Sequence, residues 1–283
     1  MGYALSPRSR LGLTLALIVT LGACQVTDAT APNPDSANSP TTSAPAASDD
    51  AERKVETAIQ TTVEATGSSD ATITSIQQPP VWVKPIAGTD GAASDGSEST
   101  GEVEAQVGKG LNFGDILRTE AEALAEVAFA SGLAFRLGGD AILVLQPDNR
   151  LALESGEVIV WVEPGKQVPT EIMTPAGVAG LRGTTLFIEI SEGDNPEVHL
   201  LAWEGTVTFM PADATGEPLI LEGGQGIRLR RGETDLAMLK NRIQRLNRRQ
   251  IRQRRRQSRL LNGFNRPIST QEAIDRVLET SPE

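Results

Sequence analysis

The sequence predicts an all-β domain followed by a basic helical tail, and three observations support this prediction. Short apolar runs recur at roughly ten-residue intervals between residues 133 and 229, separated by glycine-rich turns that include Gly138-Gly139-Asp140 and Ser155-Gly156. Several runs alternate like a half-buried strand, with Leu186, Ile188 and Ile190 on one face. Beyond these runs, residues 240–259 contain ten basic residues and no acidic one. The pattern of runs is typical of a sandwich, a barrel or a solenoid of short strands.

The N-terminus has the organisation of a bacterial export signal. Arg8 and Arg10 precede the apolar run Leu11–Leu21, which is shorter than the ~20 residues that span a membrane. The run ends in Leu21, Gly22, Ala23 and Cys24. These four residues resemble the lipobox of bacterial lipoproteins, in which the cysteine is lipidated and becomes the mature N-terminus. Cys24 is the only cysteine of the chain. We therefore expect anchorage to a bacterial membrane facing the periplasm; an ordinary secretory signal with a chance cysteine is the alternative.

Composition divides the chain after the signal peptide of residues 1–23. Residues 24–50 are rich in Ala, Ser, Thr, Pro and Asp and predict a disordered tether. Residues 51–68 predict a short helix, because Val55, Ile59 and Val63 recur at helical spacing. A β domain over 70–232 follows, with a polar loop at 87–102, and a basic helical tail covers 233–283.

Charge separates the domain from the tail. Residues 24–227 carry 9 Lys/Arg and 31 Asp/Glu, a net charge of −22, whereas residues 228–266 carry 14 and 2, a net charge of +12. Aromatic residues make up only 4% of the chain. With one cysteine and one histidine, a disulfide framework and a Cys/His zinc site are excluded.

Several short motifs of residues 70–232 resemble, in their order and spacing, the FecR-like domain named for the iron-dicitrate sensor of the bacterial envelope. The most specific block is Ile172–Thr184. The motif residues are Gly114, Asp115, Thr119, Thr174, Pro175, Gly177, Arg182, Gly183, Thr184, Gly205, Gly224 and Gln225. The resemblance implies a twisted, solenoid-like or sandwich-like β domain. It also implies a strand at 121–129, where the Ala- and Glu-rich composition alone favours a helix.

The resemblance does not extend to the cytoplasmic segment with which the iron-signalling regulators act on a sigma factor. Only ten residues precede the apolar run of this chain. We therefore do not expect that activity, since a shared fold does not supply a function. The motif residues are expected to be structural, and an outward-facing Arg182 would keep a role in ligand contact open.

No pattern in the sequence predicts catalysis, a metal site or a cofactor. The single histidine, His199, lies on the strand face shared by Leu201 and Trp203 and is expected to be packed or solvated. A Ser-Lys or two-carboxylate enzyme remains open on residue types alone. The segment Glu192–Glu197 could offer oxygen ligands to Ca²⁺ but is better explained as a hairpin turn. The glycine-rich segments Gly177–Gly183 and Gly223–Gly226 are expected to be tight turns rather than phosphate sites.

The tail predicts a helix that begins at Asp235, capped by Thr234, and ends at Asn262-Gly263. Its apolar residues Leu236, Leu239, Ile243 and Leu246 have the 3-4-3 spacing of a coiled-coil seam. Ser269–Glu272 predicts a capping box for a terminal helix.

The arginines of the tail repel one another at i, i+4, so an anion must lie nearby. The arginines concerned are Arg242, Arg245, Arg248, Arg249, Arg252, Arg254, Arg255, Arg256 and Arg259. The candidates are the protein's own acidic domain, an anionic envelope surface such as lipid headgroups or cell-wall polymer, and nucleic acid. Export makes nucleic acid the least expected of the three.

Together these observations predict a non-catalytic extracytoplasmic lipoprotein. It would act as an envelope sensor or scaffold, with a protein or glycan bound by the β domain. One alternative is a cell-wall carbohydrate-binding or remodelling protein, which two carboxylates in one cleft under ~10 Å apart would favour. A second alternative is a structural lipoprotein that forms oligomers through the Leu236–Leu246 seam.

Overall fold

The structure, a computed structural model, describes residues 69–86 and 101–283. In these ranges strands make up 47% of the residues and helices 15%, with the helices near the C-terminus, which confirms the predicted fold class. The predicted signal peptide, Cys24, the tether at 24–50, the helix at 51–68 and most of the loop at 87–102 lie outside the described residues.

The strands are β1 Ala71–Gln77, β2 Val81–Lys84, β3 Val103–Glu104, β4 Gly110–Leu111, β5 Ile116–Thr119, β6 Leu124–Phe129, β7 Leu133–Gln146, β8 Arg150–Val162, β9 Thr170–Thr174, β10 Gly177–Leu181, β11 Thr185–Ile190, β12 Glu197–Glu204, β13 Thr206–Pro211, β14 Leu219–Glu222, β15 Gln225–Arg230 and β16 Gln244–Arg245. The helices are α1 Leu236–Arg242, α2 Arg248–Gln257, α3 Arg259–Asn262 and α4 Gln271–Thr280.

The described strands form one hydrogen-bonded sheet that bends into two layers and does not close. The long strands β7 and β8 pair along their length and give one half to each layer. The first layer has the order β4-β1-β6-β7-β8-β11-β12-β15-β16. The second has the order β3-β2-β5-β7-β8-β9-β10-β13-β14. The facing sides of the two layers form the main apolar core, which makes the domain a sandwich.

Two segments expected to be turns are instead β-bulges inside the long strands. Gly138-Gly139-Asp140 lies within β7 and Ser155-Gly156 within β8, where the pairing register shifts. Gly139, Asp140 and Gly156 have positive φ values of 66°, 53° and 78°. A Cβ atom on Gly156 would lie 2.4 Å from the Cα of Ala141. The glycines that predict turns in the sequence lie at bulges, where each strand bends from one layer into the other.

The segment whose composition favours a helix is a strand, as the family resemblance implied. β6 pairs with β1 on one side and with β7 on the other. Val127 and Phe129 belong to the main core, and Leu124 is buried on the opposite face. Burial on both faces therefore outweighs the helix propensity of alanine and glutamate.

The tail folds back over the outer face of the first layer. There the sheet presents apolar side chains that include Ile159, Trp161, Phe187, Leu201 and Trp203. The buried tail residues packed on them are Ile251, Leu260, Leu261, Ile268 and Ile274. Residues 246–283 thus share a second apolar core with the sheet.

The tail is not the single helix that the sequence predicted. Asp235, not Thr234, caps α1, accepting hydrogen bonds from the backbone N–H groups of Ala237 and Met238. The chain then leaves the helix at Ile243, pairs with β15 through β16, and starts α2 at Asn247 with a capping box. The chain breaks again at Ser258, which caps α3.

Two further predictions about the tail are wrong. Leu239 is 1% exposed in the main core, with Leu236 and Ile243 packed against it, so the seam contacts the protein's own β domain. Thr270 is the N-cap residue of α4 and makes no side-chain capping hydrogen bond, so the Ser269–Glu272 capping box does not form. Within residues 69–86 and 101–283, none of the helices has the length and apolar character needed to cross a membrane.

Candidate functional site on the tail-covered face of the sheet

The FecR-like motif residues make contacts that hold turns and strands in place. Asp115 is 3% exposed, and its carboxylate accepts hydrogen bonds from the backbone N–H groups of Asn112 and Ile86. Thr119 accepts one from the N–H of Ala141, which lies at the β7 bend. Gly114, just before β5, has a φ of 96°.

The later motif residues act in the same way. The hydroxyl of Thr174 donates to the carbonyl of Gly177 across the turn at Pro175, and that of Thr184 donates to the carbonyl of Thr206. Gly183, Gly205 and Gly224 have positive φ. Gln225 accepts a hydrogen bond from the N–H of Glu222. These contacts support a structural role for the motif.

One of the two glycine-rich segments is not the tight turn that we expected. Gly177–Leu181 is strand β10 rather than a tight turn, and a Cβ atom on Gly177 would meet the carbonyl oxygen of Met210 at 2.3 Å. Gly223-Gly224 is the turn between β14 and β15, as expected. Arg182 is exposed and lines a shallow cleft with Lys166 and Arg276, so it faces outward.

A fully buried arginine joins the sheet to the tail. The side chain of Arg136 is 0% exposed, and its Nε–H donates to the carboxylate of Glu126 at 2.8 Å. Its two terminal nitrogens donate to the carbonyl oxygens of Leu260 at 2.9 Å and Arg266 at 2.6 Å. The guanidinium also lies 4.1 Å from the ring centre of Phe264. Two of these hydrogen bonds reach backbone of the tail, so Arg136 fixes the tail on the outer face.

Four titratable residues form a row across the outer face beside this cluster. Strand pairing places Glu157 opposite Glu189, Glu189 opposite His199, and His199 opposite Arg228. Neighbouring strands lie about 4.8 Å apart, so the row extends over roughly 14 Å. His199 is 7% exposed, and its Nδ1 lies 3.4 Å from a carboxylate oxygen of Glu189. As predicted, the histidine shares its face with Leu201 and Trp203.

The surroundings raise the pKa of one residue of this row and lower the pKa of two others. Burial, and next the charge of Glu189, raise the pKa of Glu157. The hydrogen bond with His199 lowers the pKa of Glu189. Burial lowers the pKa of His199, with the positive charges of Arg254 and Arg228 acting in the same direction. A charged carboxylate can only accept hydrogen bonds, so the Nδ1–H of His199 is the donor to the Glu189 carboxylate.

Helix α2 covers these four titratable residues and leaves two adjoining clefts beneath it. The first, of about 160 Å³, is lined by His199, Arg228, Arg242 and Arg254 over an apolar floor. The second, of about 190 Å³, is lined by Glu157, Glu189 and Arg259 with aromatic side chains. Arg254 and Leu201 line both. We call the first the cationic cleft and the second the acidic cleft.

The nine tail arginines divide into three groups. Five form ion pairs: Arg242 with Glu233, Arg245 with Glu222, Arg248 with Glu283, Arg255 with Asp275 and Arg259 with Glu122. Arg254 is half-buried above Glu189 and makes no ion pair within 4 Å in the described part of the chain.

The third group is Arg249, Arg252 and Arg256. These side chains are exposed and line a common groove with Gln253 and Gln257. None has an acidic partner within 4 Å among residues 69–86 and 101–283. Acidic residues of the protein therefore neutralise only part of the positive charge of the tail. We call the three exposed arginines without an acidic partner, Arg249, Arg252 and Arg256, the arginine row.

The segment considered for Ca²⁺ forms the hairpin that joins β11 to β12. Gly193 has a φ of 110°, and the N–H of Ser191 donates to the carbonyl of Glu197. Glu197 pairs with Arg228 and Arg230. No group of three His, Cys, Asp or Glu residues in the described ranges is placed to hold a metal ion.

Sequence reasoning missed Arg136 and the pairing of Glu157 with Glu189. Arg136 interrupts the apolar run Leu133–Leu137 at a position that faces out of the core. An arginine at such a position predicts a solvated side chain, unless the tail is known to cover that face. The strand register that brings the two glutamates together depends on long-range pairing, which a single sequence does not reveal.

The family model described as FecR protein matches residues 115–208, which run from the start of β5 into β13. The FecR-like resemblance is confirmed over these residues, which make up less than half of the chain. The family is a regulatory one, which suggests a role in signalling or sensing. No curated protein matches the chain.

Two crystal structures of a candidate anti-sigma factor from Parabacteroides distasonis are similar to this chain. They are 11% and 13% identical to it, with TM-scores of 0.35 and 0.34. The similarity covers 42% of this chain and 57% and 56% of theirs. At these TM-scores the likeness carries no argument about this protein's partners.

Proposed function

We propose that the protein is a non-catalytic sensor or scaffold of the bacterial envelope that docks on an anionic surface through the arginine row of α2. In this proposal lipid on Cys24 anchors the chain outside the cytoplasm, and the β domain is free to bind a protein or glycan partner. The match to the FecR family model at residues 115–208 supports the sensor role. The charge distribution of the tail supports the docking role.

The observation that carries the proposal is the outward position of Arg249, Arg252 and Arg256. Their spacing of three and four residues puts them on one side of the helix. Each cation near an anionic lipid surface contributes about 1 kcal/mol. Three of them give a weak, reversible contact, and a lipid anchor together with such a patch gives stable attachment.

Vesicle flotation tests the docking role. The probe is the mature chain of residues 24–283 with Cys24→Ser, so that neither lipid nor the apolar run Leu11–Leu21 contributes. It is mixed with vesicles rich in phosphatidylglycerol or with neutral phosphatidylcholine vesicles. We expect binding to the anionic vesicles alone, with a steep loss as salt rises. Changing Arg249, Arg252 and Arg256 together to Gln should abolish it.

The matched control removes three charges elsewhere. Lys84, Lys166 and Arg231 are exposed and form no ion pair within 4 Å in the described ranges. Changing these three to Gln should leave vesicle binding intact. Equal losses in the two triple variants would mean that net charge, not the arginine row, drives binding, and the proposal would fail. The anchor is tested separately: Cys24→Ala expressed in cells should leave the membrane fraction.

A second candidate function is binding or remodelling of cell-wall carbohydrate, and the Glu157–Glu189 pair favours it. Residues directly opposite in an antiparallel pair have Cβ atoms about 5 Å apart, and both side chains line the acidic cleft with Phe187 and Trp203. Two carboxylates with pKa values moved apart are the usual acid and base of glycoside hydrolysis. Release of soluble fragments from purified cell wall, lost in Glu157→Gln, would favour this function over a non-catalytic one.

A further inference from the structure

The cationic cleft has the composition of a ligand site. His199 and three arginines, Arg228, Arg242 and Arg254, line it, and no acidic side chain in the described ranges does. Leu201 and Leu246 give it an apolar floor. Arg228 and Arg242 each have an acidic partner outside the cleft, Glu197 and Glu233.

Among the three arginines of the cationic cleft, Arg228 and Arg242 have an acidic partner and Arg254 has none within 4 Å in the described ranges. Arg254 is half-buried, and Arg228 is near enough to act on its charge. Burial and then Arg228 lower the pKa of Arg254, opposed by Glu189. A partly buried cation beside a second cation is costly unless an anion lies between them.

The adjoining acidic cleft supplies an independent observation. Trp203 is 3% exposed and lines that cleft, and its Nε1–H has no hydrogen-bond acceptor in the described part of the chain. A buried donor without a partner is uncommon in folded proteins. The Nε1–H groups of Trp82 and Trp161 also lack an acceptor in the described ranges, but neither residue lines one of the two clefts. An acceptor that enters between the sheet and α2 would satisfy it.

We propose that the cleft binds a small organic anion, whose carboxylate or phosphate lies among Arg228, Arg242 and Arg254 and whose apolar part lies on Leu201 and Leu246. The size follows from the volume of about 160 Å³, below that of a typical drug-sized pocket. Glu157 and Glu189 line the other end of the space under α2, where Arg259 already pairs with Glu122. The negative group of the ligand therefore lies at the end with Arg228 and Arg242.

This site does not depend on vesicle docking. Arg254 faces the sheet, whereas Arg249, Arg252 and Arg256 face outward on the same helix. Loss of one binding activity with retention of the other would therefore separate the two proposals.

The single histidine provides the assay, since an NMR spectrum of the full chain contains imidazole signals from His199 alone. Phenyl phosphate and benzoate are the anionic probes, benzyl alcohol is the neutral one, and inorganic phosphate lacks the apolar part. We expect the His199 signals to shift saturably with phenyl phosphate or with benzoate, and whichever binds more tightly identifies the anionic group. Benzyl alcohol should leave the signals unchanged, and inorganic phosphate should bind at least tenfold more weakly.

Arg254→Gln should weaken binding of the anionic probe about tenfold or more, the usual consequence of losing a charge-assisted hydrogen bond. Arg231→Gln, three residues from Arg228 and exposed, should bind the probe as the wild type does. The proposal is overturned if neither anion shifts the His199 signals, if benzyl alcohol or inorganic phosphate binds equally well, or if both variants lose affinity equally. The probe comparison uses wild-type protein, so it decides even if Arg254→Gln does not fold.

Discussion

Replacing Arg136 tests how the tail is held on the sheet. Arg136→Met keeps an unbranched apolar stem but removes the ion pair with Glu126 and the donors to the carbonyls of Leu260 and Arg266. Removing one partner of a buried ion pair costs about 3–5 kcal/mol, and each carbonyl left without a donor adds to this. Because Glu126 is 17% exposed and can be partly rehydrated, we expect a loss of about 4 kcal/mol in the free energy of unfolding.

Arg118 offers a matched control on the surface of the same domain. It forms ion pairs with Glu102 and Glu120 and lies 5.8 Å from the ring centre of Trp82, but its side chain is 33% exposed. Exposed ion pairs contribute about 0–1 kcal/mol, so Arg118→Met should cost about 1 kcal/mol or less.

Urea unfolding followed by circular dichroism compares the two variants. Arg136→Lys should fall between wild type and Arg136→Met, because an ammonium keeps the charge but not the planar fork. If Arg136→Met and Arg118→Met lose the same stability, the buried arginine does not fix the tail and this reasoning is refuted.

Three further predictions concern the core, the bends and the histidine. Leu239→Asp buries an unpaired carboxylate, so stability should fall by about 3 kcal/mol or more with no change in sedimenting mass; a lower mass at unchanged stability would restore the coiled-coil seam. Gly165→Ala should cost about 1–2 kcal/mol for its positive φ alone, and Gly156→Ala should cost more because of the clash with Ala141; equal costs in urea unfolding would contradict the bulge at Gly156. Burial lowers the pKa of His199 in the folded state, so the unfolded chain takes up its proton first and stability should fall as pH decreases below about 6.5. His199→Gln should remove that part of the pH dependence, and an unchanged profile would count against it.

The strands of the domain were predictable because local pattern and tertiary burial agree there. Leu186, Ile188 and Ile190 alternate in sequence and point into the main core in the structure. The bends in β7 and β8 were not predictable, because a glycine gives the same sequence signal in a turn and in a bulge. Only the pairing of β7 with β8 distinguishes the two at Gly156.

The candidate site was predictable in composition but not in arrangement. The excess of arginine between residues 240 and 259 required a nearby anion, and acidic partners such as Glu222 and Glu122 provide part of the answer. Which arginines point inward depends on where the tail breaks, at Ile243 and Ser258. Those breaks follow from packing on the sheet, so the sequence pattern of one long helix could not reveal them.

Hydrogen exchange in the full chain tests most directly whether the basic tail is part of the folded domain. Amides of α2 and α4 are compared with those of β11 and β12, which form the sheet beneath them. If the tail covers the sheet, hydrogen exchange of the helix amides that follow Ile251 and Ile274 should be slowed by several orders of magnitude. These amides should become exchangeable in the same opening event as the amides of β11 and β12. Exchange of both helices at the rate of an unstructured peptide, while β11 and β12 stay protected, would contradict the account.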